Sequence, residues 1–98
     1  MEIVKKRNDS ELVIALTVRL DTTTAPELEK EVGASLAGVT SLTLDLEKLD
    51  YISSAGLRVL LTTQKIMMKQ GKMRVIHVNE SVSEVFDITG FHSILTIE

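Results

Sequence analysis

The spacing of apolar residues changes period repeatedly along this chain of 98 residues, and that switching excludes both an all-helical and an all-strand fold. Leu12, Ile14, Leu16 and Val18 recur every second residue, which places them on one face of a strand. Leu28, Val32 and Leu36 then recur every fourth residue, the stripe of a short helix. Leu42-Thr43-Leu44-Asp45-Leu46 returns to strict alternation. From Ser54 to about Gln70, the positions Leu57, Leu60, Leu61, Gln64, Met67 and Met68 restore the helical stripe.

Local signals divide these runs. Asn8-Asp9-Ser10-Glu11 reads as a hairpin turn after an edge strand over roughly Glu2 to Arg7, where Lys5, Lys6 and Arg7 discourage further pairing. Thr24-Ala25-Pro26-Glu27 has the form of a capping box with Thr24 as N-cap, and Pro26 is tolerated in a first helical turn. Gly38 supplies a left-handed stop. Lys65, Lys69 and Lys72 suit the negative end of the long helix, and Gly71 ends it. Met73 to Val78 reads as a strand, and Ser81-Val82-Ser83-Glu84 as a second capping box. That box opens a short helix through Val82, Val85 and Phe86 to Gly90, and Ile94 to Ile97 forms the last strand.

The expected order is β-β-α-β-α-β-α-β in a single α/β domain spanning 1–98, without linker or repeat. An opening hairpin followed by helical crossovers makes a mostly parallel mixed sheet with one antiparallel edge. Thr17, Thr43, Asp45 and His77 fall on the parity opposite to the strongest apolar positions, so the helices should lie mainly on one face.

Composition removes whole classes of function. There is no cysteine, which excludes disulfide frameworks, thiolate metal sites and cysteine nucleophiles. Eleven Lys and Arg against 14 Asp and Glu give a net charge of −3, and aromatics are 3% of the chain, so neither the basic face nor the stacking rings of a nucleic-acid binder are present. No apolar run approaches the roughly 18 residues of a membrane span, and Met1-Glu2-Ile3-Val4-Lys5-Lys6-Arg7 lacks the apolar stretch of a signal peptide. A cytoplasmic protein without membrane insertion is expected. No cofactor is expected, because both glycine-rich phosphate motifs are missing. No metal is expected either, because His77 and His92 stand far apart in sequence. Met67, Met68 and Met73 read as core filler, and the cations from Lys65 to Arg74 as a solvated face.

In open α/β sheets, function gathers beyond the carboxyl ends of the strands. Asp21-Thr22-Thr23-Thr24, Asp50-Tyr51-Ile52-Ser53-Ser54-Ala55-Gly56 and Asn79-Glu80-Ser81 all fall on that edge. The middle segment is the most unusual. Glycine in a first helical turn costs about 1 kcal/mol against alanine, so Gly56 needs a reason, usually close approach of a backbone or a partner. The plainest reading makes Ser53 or Ser54 an N-cap and Thr22 to Thr24 a capped turn. A hydrolase built on Ser54, His77 and Asp45 lacks a nucleophile elbow and a base within visible reach.

Taken together, Leu20-Asp21-Thr22-Thr23-Thr24-Ala25-Pro26-Glu27-Leu28, Leu44-Asp45-Leu46, Tyr51-Ile52-Ser53-Ser54-Ala55-Gly56-Leu57 and Val85-Phe86-Asp87-Ile88-Thr89-Gly90-Phe91 resemble the STAS domain, and most closely the stand-alone bacterial anti-sigma-factor antagonists. The resemblance covers nearly the whole chain. It implies a binding protein, not an enzyme, whose partner is an anti-sigma factor with serine kinase activity. That kinase modifies a serine at the start of the long helix and ends the interaction, and a phosphatase resets it. The matched acceptor is Ser54, with Ser53 as the secondary candidate. The implied docking surface comprises Asp21, Thr22, Thr23, Ser53, Ser54, Ala55, Gly56 and Arg58, on a chain that is monomeric when free. Three departures stand out: Ser53 where the family often has Asp, Ala55 where it has Ser or Thr, and no counterpart of the C-terminal helix into which many members continue. A second reading within the family is a STAS module that docks on a transporter or regulatory assembly without being phosphorylated.

Overall fold

The computed structural model describes all 98 residues, Met1–Glu98. Its elements are β1 (Ile3–Asn8), β2 (Glu11–Leu20), α1 (Ala25–Ser35), β3 (Ser41–Ile52), α2 (Ser54–Met68), β4 (Lys72–Ile76) and α3 (Glu80–Thr89), followed by a 3-10 turn over Phe91–Ser93. The four strands lie in sequence order, β1 antiparallel to β2 and the others parallel. A sheet laid down in chain order sends successive crossovers the same way, and crossovers of one hand then bring their helices to one face. α1 packs on α2 beneath the sheet, α3 packs against β3, and the other sheet face stays open.

Twenty-three buried apolar residues form one core between that sheet face and the helices. Ile14, Leu20, Leu28, Leu42, Leu46, Leu49, Leu60 and Phe86 are fully buried, each contributing about 1.5–3 kcal/mol against the entropy of ordering the chain. No helix is long and apolar enough to cross a membrane.

β3 runs six residues beyond the alternating stretch Leu42–Leu46. In its pairing with β2, Ala15 and Thr17 face Asp45 and Lys48, and Val18 and Arg19 face Leu49 and Tyr51. β3 therefore carries an extra residue twice, and its core positions after Leu46 step by three, to Leu49 and Ile52. Val18 leaves the apolar face to which its parity assigns it. Its backbone is left-handed (φ +68°) and its side chain is exposed.

Several boundaries differ from expectation for local reasons. Thr24 makes no side-chain cap to α1. Ser81 and Glu84 form no capping box, because α3 starts earlier, at Glu80, behind the N-cap Asn79, whose side chain accepts from the Val82 amide at 2.9 Å. The long helix stops at Met68. Gly71 is required beyond it, since a Cβ there would lie 1.9 Å from the Thr40 carbonyl oxygen. The expected last strand over Ile94–Ile97 is reduced to one parallel bridge, Ile97 with Val75, because the 3-10 turn and the helical backbone of Ile94 use up its first residues. His77 lies just past β4, not within it, and is left-handed at φ +58°.

Candidate functional site

The carboxyl ends of β2 and β3 meet the N-termini of α1 and α2, and the site grows out of that junction. At the end of β2, Asp21 replaces the expected capping box. Its Oδ1 accepts from the Thr23 hydroxyl (2.7 Å), the Thr23 amide (3.0 Å) and the Thr24 amide (3.1 Å), and its Oδ2 from Arg19 Nε (3.3 Å). Thr24 Oγ1 turns back from the helix, accepting from the Asp21 amide (2.8 Å) and donating to the Arg19 carbonyl (2.9 Å). The Thr23 hydroxyl, then the Thr24 amide, hold the Asp21 carboxyl well below its ordinary range, so this corner keeps its negative charge. Arg19 also lies over the ring of the exposed Tyr51, 4.4 Å from its centroid.

Ser53 and Ser54 divide two roles between them. Ser53 is the N-cap of α2. Its backbone is extended, its amide donates to the Leu20 carbonyl at 2.9 Å, and its Oγ accepts from the Gly56 amide at 3.4 Å. Ser54 is the first residue of the helix and is exposed. With the Gly56 amide taken by Ser53, the amides of Ser54 and Ala55 remain as the first-turn donors without an intrahelical acceptor. An anion on the Ser54 side chain would meet those donors and the positive end of the helix.

Gly56 is explained by the chain itself. A Cβ there would lie 2.8 Å from Leu20 Cγ, 2.9 Å from Ile52 Cγ1 and 2.9 Å from the Leu20 carbonyl oxygen. The glycine lets α2 close against β2 and β3. It is buried, so it shapes the edge and presents no contact surface of its own. Thr22, Ala55 and Arg58 instead line one shallow groove between the starts of α1 and α2, together with Pro26, Glu29 and Val59. The fold thus brings the matched residues of two distant segments to one edge.

Sequence patterns gave no sign of Arg19 or Glu29 on this edge, and named Tyr51 and Pro26 only as members of its segments, without a role in the surface. Arg19 and Tyr51 come together only because the second irregularity of β3 sets them opposite each other, a cross-strand register that neither segment shows by itself. The third segment of the edge serves structure: Asn79 Nδ2 donates to the Leu49 carbonyl at 2.6 Å while its oxygen caps α3. No nucleophilic array forms around Ser54. His77 Nδ1 pairs with Asp45 Oδ1 at 2.9 Å, and His92 Nε2 with Asp87 at 3.0 Å.

Residues 2–98 match the STAS domain family. The candidate anti-sigma factor antagonist BtrV of Bordetella bronchiseptica is 37% identical over 99 residues, covering 99% of this chain and 85% of BtrV. An anti-sigma factor antagonist from Mycobacterium paratuberculosis has the same fold, with a TM-score of 0.88 at 24% identity over 98% of this chain and 83% of that one. The Bacillus cell fate determinant SpoIIAA, solved in a phosphorylated form, aligns with a TM-score of 0.77 at 16% identity over 99% of this chain and 91% of that one. The match to residues 2–98, with the identity to BtrV, places the chain in the STAS domain family.

Proposed function

We propose that this protein is an anti-sigma factor antagonist, a regulatory binding protein switched by phosphorylation of Ser54. In the unmodified state it binds an anti-sigma factor that is also a serine kinase. Transfer of phosphate to Ser54 ends the complex, and a phosphatase restores it. The observation that carries this reading is the division between the two serines. Ser53 is spent on capping α2, whereas Ser54 stands exposed beside two unsatisfied amides.

The physics of the position suits a switch that spares the fold. A phosphate at a helix start is favoured by up to about 2 kcal/mol, so modification leaves the domain intact. Its effect falls on the docking surface of Asp21, Thr22, Thr23, Ser54, Ala55 and Arg58, with Ser53 and Gly56 shaping it from beneath. There the phosphate adds about 1.5–2 negative charges and bulk. The formal charge of −3 then approaches about −5. Asp21, ion-paired with Arg19, already holds a carboxylate on this edge, and the phosphate adds further negative charge beside it. The similarity to BtrV supports the anti-sigma factor as partner.

Phosphorylation in extract of the source cell supplemented with ATP tests the acceptor, with the modified residue located by mass spectrometry. The expected result is phosphate on Ser54 and none in Ser54→Ala. Phosphate on Ser53, or incorporation undiminished in Ser54→Ala, would overturn the assignment.

A further inference from the structure

The helix-free sheet face gathers three groups with metal-binding chemistry, away from the helix starts that form the docking edge. Asp45 and Glu47 come from β3, and His77 from the first position beyond β4. They meet for local reasons. The extra residue that β3 carries between Asp45 and Lys48 bends the strand at this point, and the left-handed backbone of His77 ends β4 beside it. His77 Nδ1 is 2.9 Å from Asp45 Oδ1 and 3.8 Å from Glu47 Oε2. The three ligand atoms all lie within 4.8 Å of one another.

Donors and acceptors do not balance in this cluster. A neutral imidazole nitrogen carries at most one N–H, and here two carboxylates face the same nitrogen. The Glu47 amide adds one donor, at 3.1 Å, to the same Asp45 oxygen. Two carboxylates thus flank one imidazole nitrogen, the mixed nitrogen and oxygen donor set of a transition-metal site, with the charge of Lys48 also acting on Asp45.

We propose that Asp45, Glu47 and His77 form a binding site for a divalent transition-metal ion. One imidazole nitrogen with two carboxylate oxygens suits Zn2+, Mn2+ or Co2+, whereas Ca2+ takes six to eight oxygens. Ligands at about 2.0–2.2 Å from such an ion stand about 3.0–3.5 Å from one another, so the observed separations bracket the required ones. Glu47 is exposed and free to close the gap, and water completes the coordination. The bound ion ties β3 to the connection between β4 and α3.

Zn2+ titrated into the full chain by calorimetry, with residue-resolved NMR broadening by Mn2+, tests the site. One equivalent should bind, with broadening centred on Asp45 to Lys48 and on His77. His77→Ala and Glu47→Gln should each weaken binding at least about 10-fold, as removal of metal-site groups commonly does. His92→Ala, which removes the other histidine–carboxylate pair, should leave it unchanged. Absence of binding at millimolar metal, broadening centred on His92 and Asp87, or variants that bind as wild type would each overturn the proposal.

Discussion

Ser53 and Ser54 are chemically identical neighbours to which the fold gives different tasks. Ser53→Ala removes the cap of α2 and should cost about 0.5–1 kcal/mol, whereas Ser54→Ala should stay within about 0.5 kcal/mol of wild type. Urea unfolding of the two variants separates them. Asp21 offers a test through pH. Folding holds its carboxyl below the ordinary value of 3.8, first through the Thr23 hydroxyl and then through the Thr24 amide. A carboxyl lowered in this way adds stability above its unfolded value and loses it as pH falls through the folded one. Asp21→Asn keeps the shape without the charge, so wild type should melt higher near neutrality, and its lead should shrink below about pH 4. Residue identity alone could not divide the two serines, since the division depends on which hydroxyl reaches the Gly56 amide. The Asp45, Glu47 and His77 cluster was legible only in part, since Asp45 and His77 share the parity of the open face but nothing in the spacing brings Glu47 to them. A search for paired histidines passes over it, because its members are joined by strand pairing and a left-handed residue.

Elements were most legible where one period persists. Leu28, Val32 and Leu36 mark α1, and the stripe from Leu57 to Met67 marks α2, because both helices bury a single face. β3 was legible only as far as Leu46, where the bulges change the step between core residues from two to three. Helix starts were the weakest point. Both predicted capping boxes name residues of the right chemical type, yet α1 has no side-chain cap, the Asp21 carboxylate ordering the turn before it instead, and α3 is capped by Asn79, which also bonds across to the Leu49 carbonyl. Asn79→Ala should therefore destabilise the domain by about 1–2 kcal/mol, losing both the cap and the bond to the Leu49 carbonyl. Ser81→Ala should shift stability by less than about 0.5 kcal/mol. Equilibrium denaturation of the pair checks the placement of the cap, and equal losses would contradict it.

Across the whole molecule, strands laid down in chain order leave one sheet face open and bring the helix starts to one edge. Periodicity was enough to foresee helices mainly on one face of a mixed sheet, though not the strand order, and the resemblance to STAS domains was needed to assign the edge a partner. In the proposed function, the Ser54 edge binds an anti-sigma kinase only while it is unmodified. A pull-down from source-cell extract with wild type, Ser54→Ala and Ser54→Asp as baits, read by mass spectrometry, tests this most directly. Thermal unfolding run alongside should show all three folded, since negative charge at a helix start does not oppose the fold. Wild type and Ser54→Ala should retain a kinase-like ATPase, and Ser54→Asp should lose it. Retention of the same partner by all three folded baits would contradict the switch and leave a constitutive docking module.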